Sequence, residues 1–197
     1  MGKNVLVIIN CSKRKSVSME LVRGRLGLIP GFDLEREDEY RGKLMDLMKP
    51  ALDMYDGPEF RVLRKFRGCV DVFILSARYG IISGERWIIP YDAYLGVADE
   101  SILSKWMAYG NPDLDRLLSG RWDRVIIRVS STYMKYLRRL VPNPCGLGSE
   151  IHVIAGKGMD LNCGNAVNHH IRGPGDSQSV LRRLLIETCP SISNYSK

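Results

Sequence analysis

The chain has 197 residues, of which 45% are hydrophobic and 26% are charged, and its net charge is +7. This length and composition predict one globular α/β domain at residues 1–190, followed by a polar tail at residues 191–197. No apolar run approaches the ~20 residues that span a bilayer, and no signal peptide is recognisable, so we expect a cytoplasmic protein with no membrane partner. The excess of Lys and Arg favours an anionic partner such as a nucleotide or a nucleic acid.

Four short apolar runs are predicted to be strands buried on both faces, because β-branched and other apolar residues dominate them. They occupy residues 4–9, 70–75, 125–129 and 151–154. Segments of helical length separate them, and this alternation predicts a three-layer αβα sandwich with a mainly parallel sheet.

Helices are predicted wherever apolar residues recur with helical spacing. The first such stretch, residues 34–56, contains Pro50, so we expect a kinked helix or two shorter ones. The later predicted helices are residues 60–66, 101–109, 113–118, 132–140 and 180–188. Residues 156–175 are rich in Gly and Asn and lack apolar periodicity, which predicts a long loop or a set of turns.

The five cysteines are scattered, with no CxxC pair. An odd and dispersed set argues against a disulfide framework and against a four-ligand zinc site, and most free cysteines behave as small buried hydrophobes. The chain has three histidines, His152 and the adjacent His169 and His170, and their spacing is not that of a metal-binding motif. We therefore expect no metal and no cofactor.

Polar residues follow all four predicted strands, at the point where a parallel sheet presents its carboxyl edge to a ligand. The candidate binding residues are Cys11, Ser12, Lys13, Arg14, Ser76, Arg78, Tyr79, Tyr91, Ser130, Gly156 and Lys157. Cations and glycines in such turns suit a phosphate, and tyrosine faces suit a nucleobase. Each turn alone would also fit a solvated turn or a helix cap, so the shared edge is the main argument for a site.

Two carboxylates are candidate catalytic residues. Asp92 follows Pro90 and Tyr91, and Glu85 lies a few residues earlier. A carboxylate beside a sugar could activate water or stabilise an oxocarbenium-like centre. The competing interpretation of Asp92 is a turn residue that accepts a hydrogen bond from its own backbone.

Three ordered motifs resemble those of a known family. They are Cys11-Ser12-Lys13-Arg14-Lys15, Ser76-Ala77-Arg78-Tyr79-Gly80 and Pro90-Tyr91-Asp92. In this order they resemble the CSxxK, SAxYG and PYD motifs of the peroxide stress YaaA-like family of bacterial, archaeal and phage proteins. The last two motifs also resemble, more faintly, the uracil-DNA-glycosylase-like domain of archaeosine-synthesis enzymes. The resemblance implies a four-stranded parallel sheet in the order 2-1-3-4 and a ligand related to a nucleobase.

Two functions of different classes follow from these patterns. The first is an enzyme that acts on a nucleobase, a nucleotide or a nucleic acid, with cleavage or exchange of an N-glycosidic bond as its reaction. The alternative is a non-catalytic DNA- or RNA-binding protein of a stress or damage response. A crevice with no function, in a protein that only packs against partners, is the third interpretation.

Overall fold

The structure is a computed structural model that describes residues 4–190. Its strands are β1 (Val5–Asn10), β2 (Lys49–Pro50), β3 (Asp71–Ser76), β4 (Gly80–Ser83), β5 (Trp87–Ile88), β6 (Trp122–Arg128), β7 (Gly148–Ala155) and β8 (Ala166–His170). Its α-helices are α1 (Met19–Leu26), α2 (Glu37–Leu44), α3 (Ala51–Met54), α4 (Pro58–Lys65), α5 (Glu100–Tyr109), α6 (Leu114–Ser119), α7 (Ser131–Leu140) and α8 (Pro174–Thr188). The predicted tail at residues 191–197 lies outside the described residues.

Six strands form a central sheet in the order β4-β3-β1-β6-β7-β8, flanked by helices. β4 is antiparallel to β3, and all other neighbours are parallel. The α/β class is therefore correct. The prediction of only four strands is wrong, and the full strand order differs from the predicted one. The four predicted strands fill the centre of the sheet, and β4 and β8 add one strand at each edge.

The two edge strands lack the pattern that identified the central ones. β8 is a strand, but it has no fully buried residue and includes Asn168, His169 and His170, so its sequence resembles that of a polar loop. β4 has only four residues and follows β3 through a tight hairpin. This hairpin needs Gly80, because its φ is +70° and an added Cβ would lie 2.6 Å from the backbone nitrogen of Asn111.

The core forms around β1, the most enclosed strand. Residues Val5 to Ile9 are all 3% exposed or less, so both faces of this strand are covered. Such burial explains the uninterrupted apolar sequence of β1, which is typical of a parallel strand between two helical layers. α8 packs on β6 and β7 and also contacts α4.

Residues 34–56 do not form one long helix. A 3₁₀ turn leads into α2, a second one follows α2, and the chain then extends through β2 before α3 begins. Pro50 lies in β2, which pairs with β5 in antiparallel fashion through Lys49↔Ile88. The proline therefore separates two helices, as its lack of an amide hydrogen indicated.

Four of the five cysteines form two disulfides, so the prediction against disulfides is wrong. Cys69 pairs with Cys189 and Cys145 pairs with Cys163. The partners are 120 and 18 residues apart in sequence, and only the folded chain brings them together. Cys11 is the one cysteine left unpaired, and it is buried.

No helix between residues 4 and 190 is long and apolar enough to cross a membrane. The cytoplasmic location stays a prediction.

Candidate functional site

A cavity of about 540 Å³ opens at the carboxyl ends of β1 and β6. Its lining residues are Asn10, Cys11, Lys13, Asp92, Ala93, Tyr94, Ser130 and Tyr133. We call it the carboxyl-edge cavity. It brings together four of the residues predicted from sequence, Cys11, Lys13, Asp92 and Ser130, which come from three separate turns.

The register of the central strands sets these turns side by side. Asn10 is level with Leu75 of β3, and Ile9 is level with Arg128 of β6. Asn10 then links two turns, because its Oδ1 accepts a hydrogen bond from the Ser130 backbone amide at 2.9 Å. Its Nδ2 donates to the Cys11 carbonyl at 2.9 Å. Asn10 was not among the site residues predicted from sequence, although it ends the first strand.

The side chain of Lys15 stabilises the turn after β1 by hydrogen bonds to the backbone of that turn. Its Nζ donates to the carbonyls of Ser12 at 2.8 Å and Lys13 at 3.3 Å. It also lies 4.7 Å from the ring centroid of Tyr91 and 5.2 Å from that of Tyr55, within cation–π range. Burial lowers the pKa of Lys15, while Cys11 and Asp92 act in the opposite direction. Its place in the CSxxK motif was the signal that could have identified it.

Tyr91 is fully buried, so it does not offer the stacking face that its position suggested. Its hydroxyl is 2.7 Å from the hydroxyl of Tyr55 and 2.8 Å from Oγ of Ser76. Burial raises the pKa values of Tyr55 and Tyr91, so both phenols stay protonated. Two tyrosines of the described residues line the cavity, and because Tyr133 is 3% exposed and Tyr94 is 51% exposed, Tyr94 is the one that offers its ring to a ligand.

Arg78 does not line the cavity, contrary to the role expected from its position. Its side chain is completely buried and pairs with Asp33 at 2.9 Å and with Glu37 at 3.0 Å. It also donates to the backbone carbonyls of Gly31 and Asp33. Tyr79 joins this network, because its hydroxyl donates to Glu37 at 2.9 Å. These contacts fasten the end of β3 to the segment before α2 and leave neither side chain facing the cavity.

The two candidate carboxylates lie at opposite ends of the strands of the central sheet, Asp92 at the carboxyl ends and Glu85 at the amino ends. Asp92 is exposed in the carboxyl-edge cavity, and among residues 4–190 its carboxylate has no hydrogen bond or ion pair. Glu85 lies beside Val5 and Asp71, at the amino ends of β1 and β3, and pairs with Arg67 at 3.0 Å. Glu85 therefore cannot act together with Asp92. The bond to its own backbone that would mark Asp92 as a turn residue is not formed.

The cations after β1 differ in their availability. Lys13 is exposed in the cavity, and its ammonium has no partner in the described part of the chain. Arg14 instead pairs with Asp56 at 3.1 Å, as do Arg61 and Arg64 of α4. The combined action of Arg61, Arg64 and Arg14 lowers the pKa of Asp56 to about 2.

We expect the ion pairs of Asp56 to make the stability of the fold depend on pH in the acid range. Because the folded state lowers the pKa of Asp56 from 3.8, its ion pairs stabilise the fold above about pH 4 and are lost as the pH falls towards about 2. We expect the melting temperature of an Asp56→Asn variant to fall less over this interval than that of the native chain. Thermal unfolding monitored by circular dichroism measures both slopes. Asp115→Asn, at an exposed position, should keep the native slope, and an equal slope in Asp56→Asn would contradict the assignment.

The remaining predicted site residues lie at the same edge but make other contacts. Ser12 accepts a hydrogen bond from the Arg14 amide at 3.2 Å and lines a separate cavity of about 170 Å³ beside α4. Ser76 accepts from the amides of Arg78 and Tyr79. Gly156 and Lys157 follow β7 and do not line the carboxyl-edge cavity.

The histidines do not lie in a loop. His152 is in β7 and His169 in β8, and their rings are joined by a 2.9 Å contact between Nδ1 and Nε2. Glu150 contacts the other ring nitrogen of His152 at 2.9 Å. Within residues 4–190, no group of three His, Cys, Asp or Glu side chains could hold a metal.

A second cavity, of about 690 Å³, lies at the amino edge of the sheet. Its charged side chains neutralise one another, because Arg67 pairs with Glu85 and Arg116 with Asp71. The carboxyl-edge cavity, by contrast, contains an unpaired carboxylate, an unpaired ammonium, a thiol and an exposed aromatic ring. Those groups can bind an anion and a flat ring and can exchange a proton, so we take this cavity as the candidate site.

The chain was compared with known proteins. Comparison with curated proteins and with solved structures gives no match. A family model matches residues 42–146, just over half of the chain, and includes Asp92, Tyr94, Ser130 and Tyr133 but not the turn after β1. The chain belongs to this family, a family of unknown function (DUF6884).

Proposed function

We propose that this chain is an enzyme that cleaves or exchanges the N-glycosidic bond of a nucleoside or nucleotide held in the carboxyl-edge cavity. The observation that carries the proposal is the Asp92 carboxylate. It is unpaired among the described residues and shares one cavity with the unpaired Lys13 ammonium and the exposed Tyr94 ring.

The size of the cavity supports a small ligand. Pockets for small molecules are typically about 300–1,000 Å³, and the carboxyl-edge cavity has about 540 Å³. A single nucleoside or nucleotide suits this volume, whereas a duplex would have to present an unpaired base.

The distribution of charge supports an anionic group at one end of that ligand. Ser130 precedes the first residue of α7, and its Oγ makes no capping bond to that helix. The amides of the first turn and the Lys13 ammonium can therefore both interact with a phosphate. A base could then stack on Tyr94, because aromatic faces bind bases regardless of their sequence.

The carboxylate supplies the chemistry in this arrangement. The Asp92 carboxylate can accept a proton from a water molecule that attacks the sugar, or stabilise positive charge as the bond to the base breaks. An acceptor base in place of water would turn hydrolysis into exchange.

The test is a change of Asp92 to Asn, which keeps the size of the side chain and removes its charge and basicity. We expect Asp92→Asn to lose at least about 100-fold in the multiple-turnover rate of base release, the usual scale of proton-transfer catalysis. The assay incubates the chain with a panel of nucleosides and nucleotides and measures free base by liquid chromatography. Asp115→Asn is the matched control and should keep full activity. An Asp92→Asn variant with native activity on a verified substrate would contradict the proposal, because Asp92 is the only carboxylate that residues 4–190 place in the cavity lining.

Lys13 allows a separate test of the binding step. Lys13→Glu should weaken nucleotide affinity about tenfold or more, since a charge-assisted phosphate contact becomes a repulsion. Lys105→Glu, which changes an exposed charge on α5, should leave the affinity unchanged. Calorimetric titration of both variants makes the comparison, and equal affinities would exclude Lys13 from the site.

The net charge of +7 favours the second candidate function, a non-catalytic nucleic-acid binder. The two functions differ in their response to salt. A protein that contacts many phosphates loses affinity steeply as salt rises, whereas one phosphate in a cavity gives a shallow dependence. A steep slope with DNA or RNA and no base release would favour the second function.

A further inference from the structure

Cys11 differs from the other cysteines in its surroundings as well as in its redox state. The other four are joined in disulfides, whereas Cys11 ends up in the wall of the carboxyl-edge cavity and also borders the cavity of about 170 Å³ beside α4. Its backbone amide donates to the Leu75 carbonyl at 3.0 Å, which fixes the residue against β3. The thiol therefore has a fixed position next to space that a ligand can occupy.

Two side chains interact with this sulfur, one from α7 and one from the same turn after β1. Tyr133 of α7 has its hydroxyl 3.2 Å from the Cys11 Sγ, and burial raises the pKa of Tyr133, so the phenol stays protonated and can donate to the sulfur. Lys15 is close enough for its ammonium to interact electrostatically with the sulfur. An adjacent cation and a hydrogen-bond donor are what make a cysteine nucleophilic.

The other ionisable groups around the sulfur do not cancel this effect. Tyr55 and Tyr91 also interact with Cys11, and burial keeps both neutral. Lys13 lines the same cavity and adds positive charge. Among the residues that the structure describes, Asp92 is the one carboxylate in the lining, and it is exposed to solvent.

We propose that Cys11 is the covalent nucleophile of the carboxyl-edge cavity, activated by Lys15 and Tyr133. This assignment rests on the proposed function and extends it to a two-step reaction. The Cys11 thiol gives its proton to solvent, and its sulfur forms a bond to the anomeric carbon of the sugar. The bond from that carbon to the base breaks, and its electron pair leaves with the base, which takes up a proton from solvent.

The second step releases the sugar. Asp92 accepts a proton from water, the water oxygen bonds to the anomeric carbon, and the carbon–sulfur bond breaks with its electron pair returning to Cys11. The sum of the two steps is hydrolysis of the N-glycosidic bond. A second base in place of water gives base exchange, which a covalent intermediate explains directly.

The nucleophilicity of Cys11 can be tested without a known substrate, because the disulfides leave one free thiol to label. The native, unreduced chain is treated with iodoacetamide across a range of pH, and labelling of Cys11 is followed by mass spectrometry. We expect Lys15→Met to slow labelling at neutral pH by about tenfold, and Lys15→Arg, which keeps the charge, to retain most of the native rate. Tyr133→Phe should slow labelling several-fold, since it removes the hydrogen bond to the sulfur.

Melting temperatures decide whether each variant is folded, and Lys15→Arg and Tyr133→Phe keep the test decisive if Lys15→Met does not fold. Native labelling that none of the folded variants slows would overturn the proposal. So would a Cys11 that labels only after denaturation.

Activity then separates this proposal from the one on which it rests. Base release that persists at the native rate in Cys11→Ala would leave the proposed function standing and overturn the nucleophile. Rapid, Lys15-dependent labelling with no base release from any nucleoside or nucleotide would support the activated thiol and contradict the proposed reaction.

Discussion

Replacing Cys69 and Cys189 together with serine should lower the free energy of unfolding by about 4–5 kcal/mol, the value expected for a cross-link across a loop of this order. The two residues are 120 positions apart and join the segment before β3 to the residue after α8. The disulfide removes conformational freedom from the unfolded chain, so its loss should act mainly by stabilising the unfolded state. Unfolding in guanidinium chloride measures the change.

The second disulfide provides the matched control. Cys145 and Cys163 are only 18 positions apart, so the same double replacement there should cost less, about 3 kcal/mol. Thiol titration of the denatured, unreduced chain should detect one free thiol, that of Cys11. Five thiols in that titration, or equal stability of the native chain and the Cys69/Cys189 variant, would contradict the pairing.

Replacing Arg78 with Met should destabilise the fold by about 3–5 kcal/mol, the usual cost of removing one partner from a buried ion pair. Arg78 is fully buried, whereas Asp33 and Glu37 retain 30% and 17% exposure. Its loss removes one charged donor from each carboxylate and the Arg78 donor from two backbone carbonyls, while Tyr40 still donates to Asp33 and Tyr79 still donates to Glu37. Unfolding in urea measures the change, and nucleotide affinity measured beside it separates a structural role from a binding role.

Arg116 is the matched control for Arg78. It pairs with Asp71 at 3.2 Å, but its side chain is 59% exposed. Arg116→Met should therefore change the free energy of unfolding by only about 0–1 kcal/mol. If the Arg78→Met variant is as stable as Arg116→Met but binds nucleotides more weakly, Arg78 contacts the ligand and its role is not mainly structural.

The central strands were predictable because their own residues show the apolar pattern of a buried strand. β1 is buried on both faces, so its sequence is apolar at every position from Val5 to Ile9. The edge strand β8 is stabilised by its hydrogen bonds to β7 rather than by apolar burial, and its sequence therefore resembles a loop. The disulfides were not predictable from spacing, because pairing depends on which turns the fold brings together.

The location of the candidate site was predictable from the sequence, but the residues that line it were predictable only in part. Parallel strands place their carboxyl ends at one edge, and this placed Cys11, Lys13 and Ser130 together, whereas Asp92 reaches the same cavity from the segment after β5, which lies in a separate sheet. Sequence alone could not show that Arg78 is paired internally or that Glu85 lies at the other edge. It also could not separate the buried Tyr91 from the exposed Tyr94, since both follow the same short strand.

Binding of a nucleoside or nucleotide in the carboxyl-edge cavity can be seen in a crystal structure of Asp92→Asn soaked with each compound of the panel. We expect one ligand bound between Lys13 and Tyr94, with the phosphate of a nucleotide near Ser130 and the anomeric carbon of the sugar facing residue 92 and the Cys11 sulfur. A ligand bound instead in the cavity at the amino edge, beside Arg67 and Glu85, would contradict the proposed binding, and so would crystals in which every compound of the panel leaves the carboxyl-edge cavity empty.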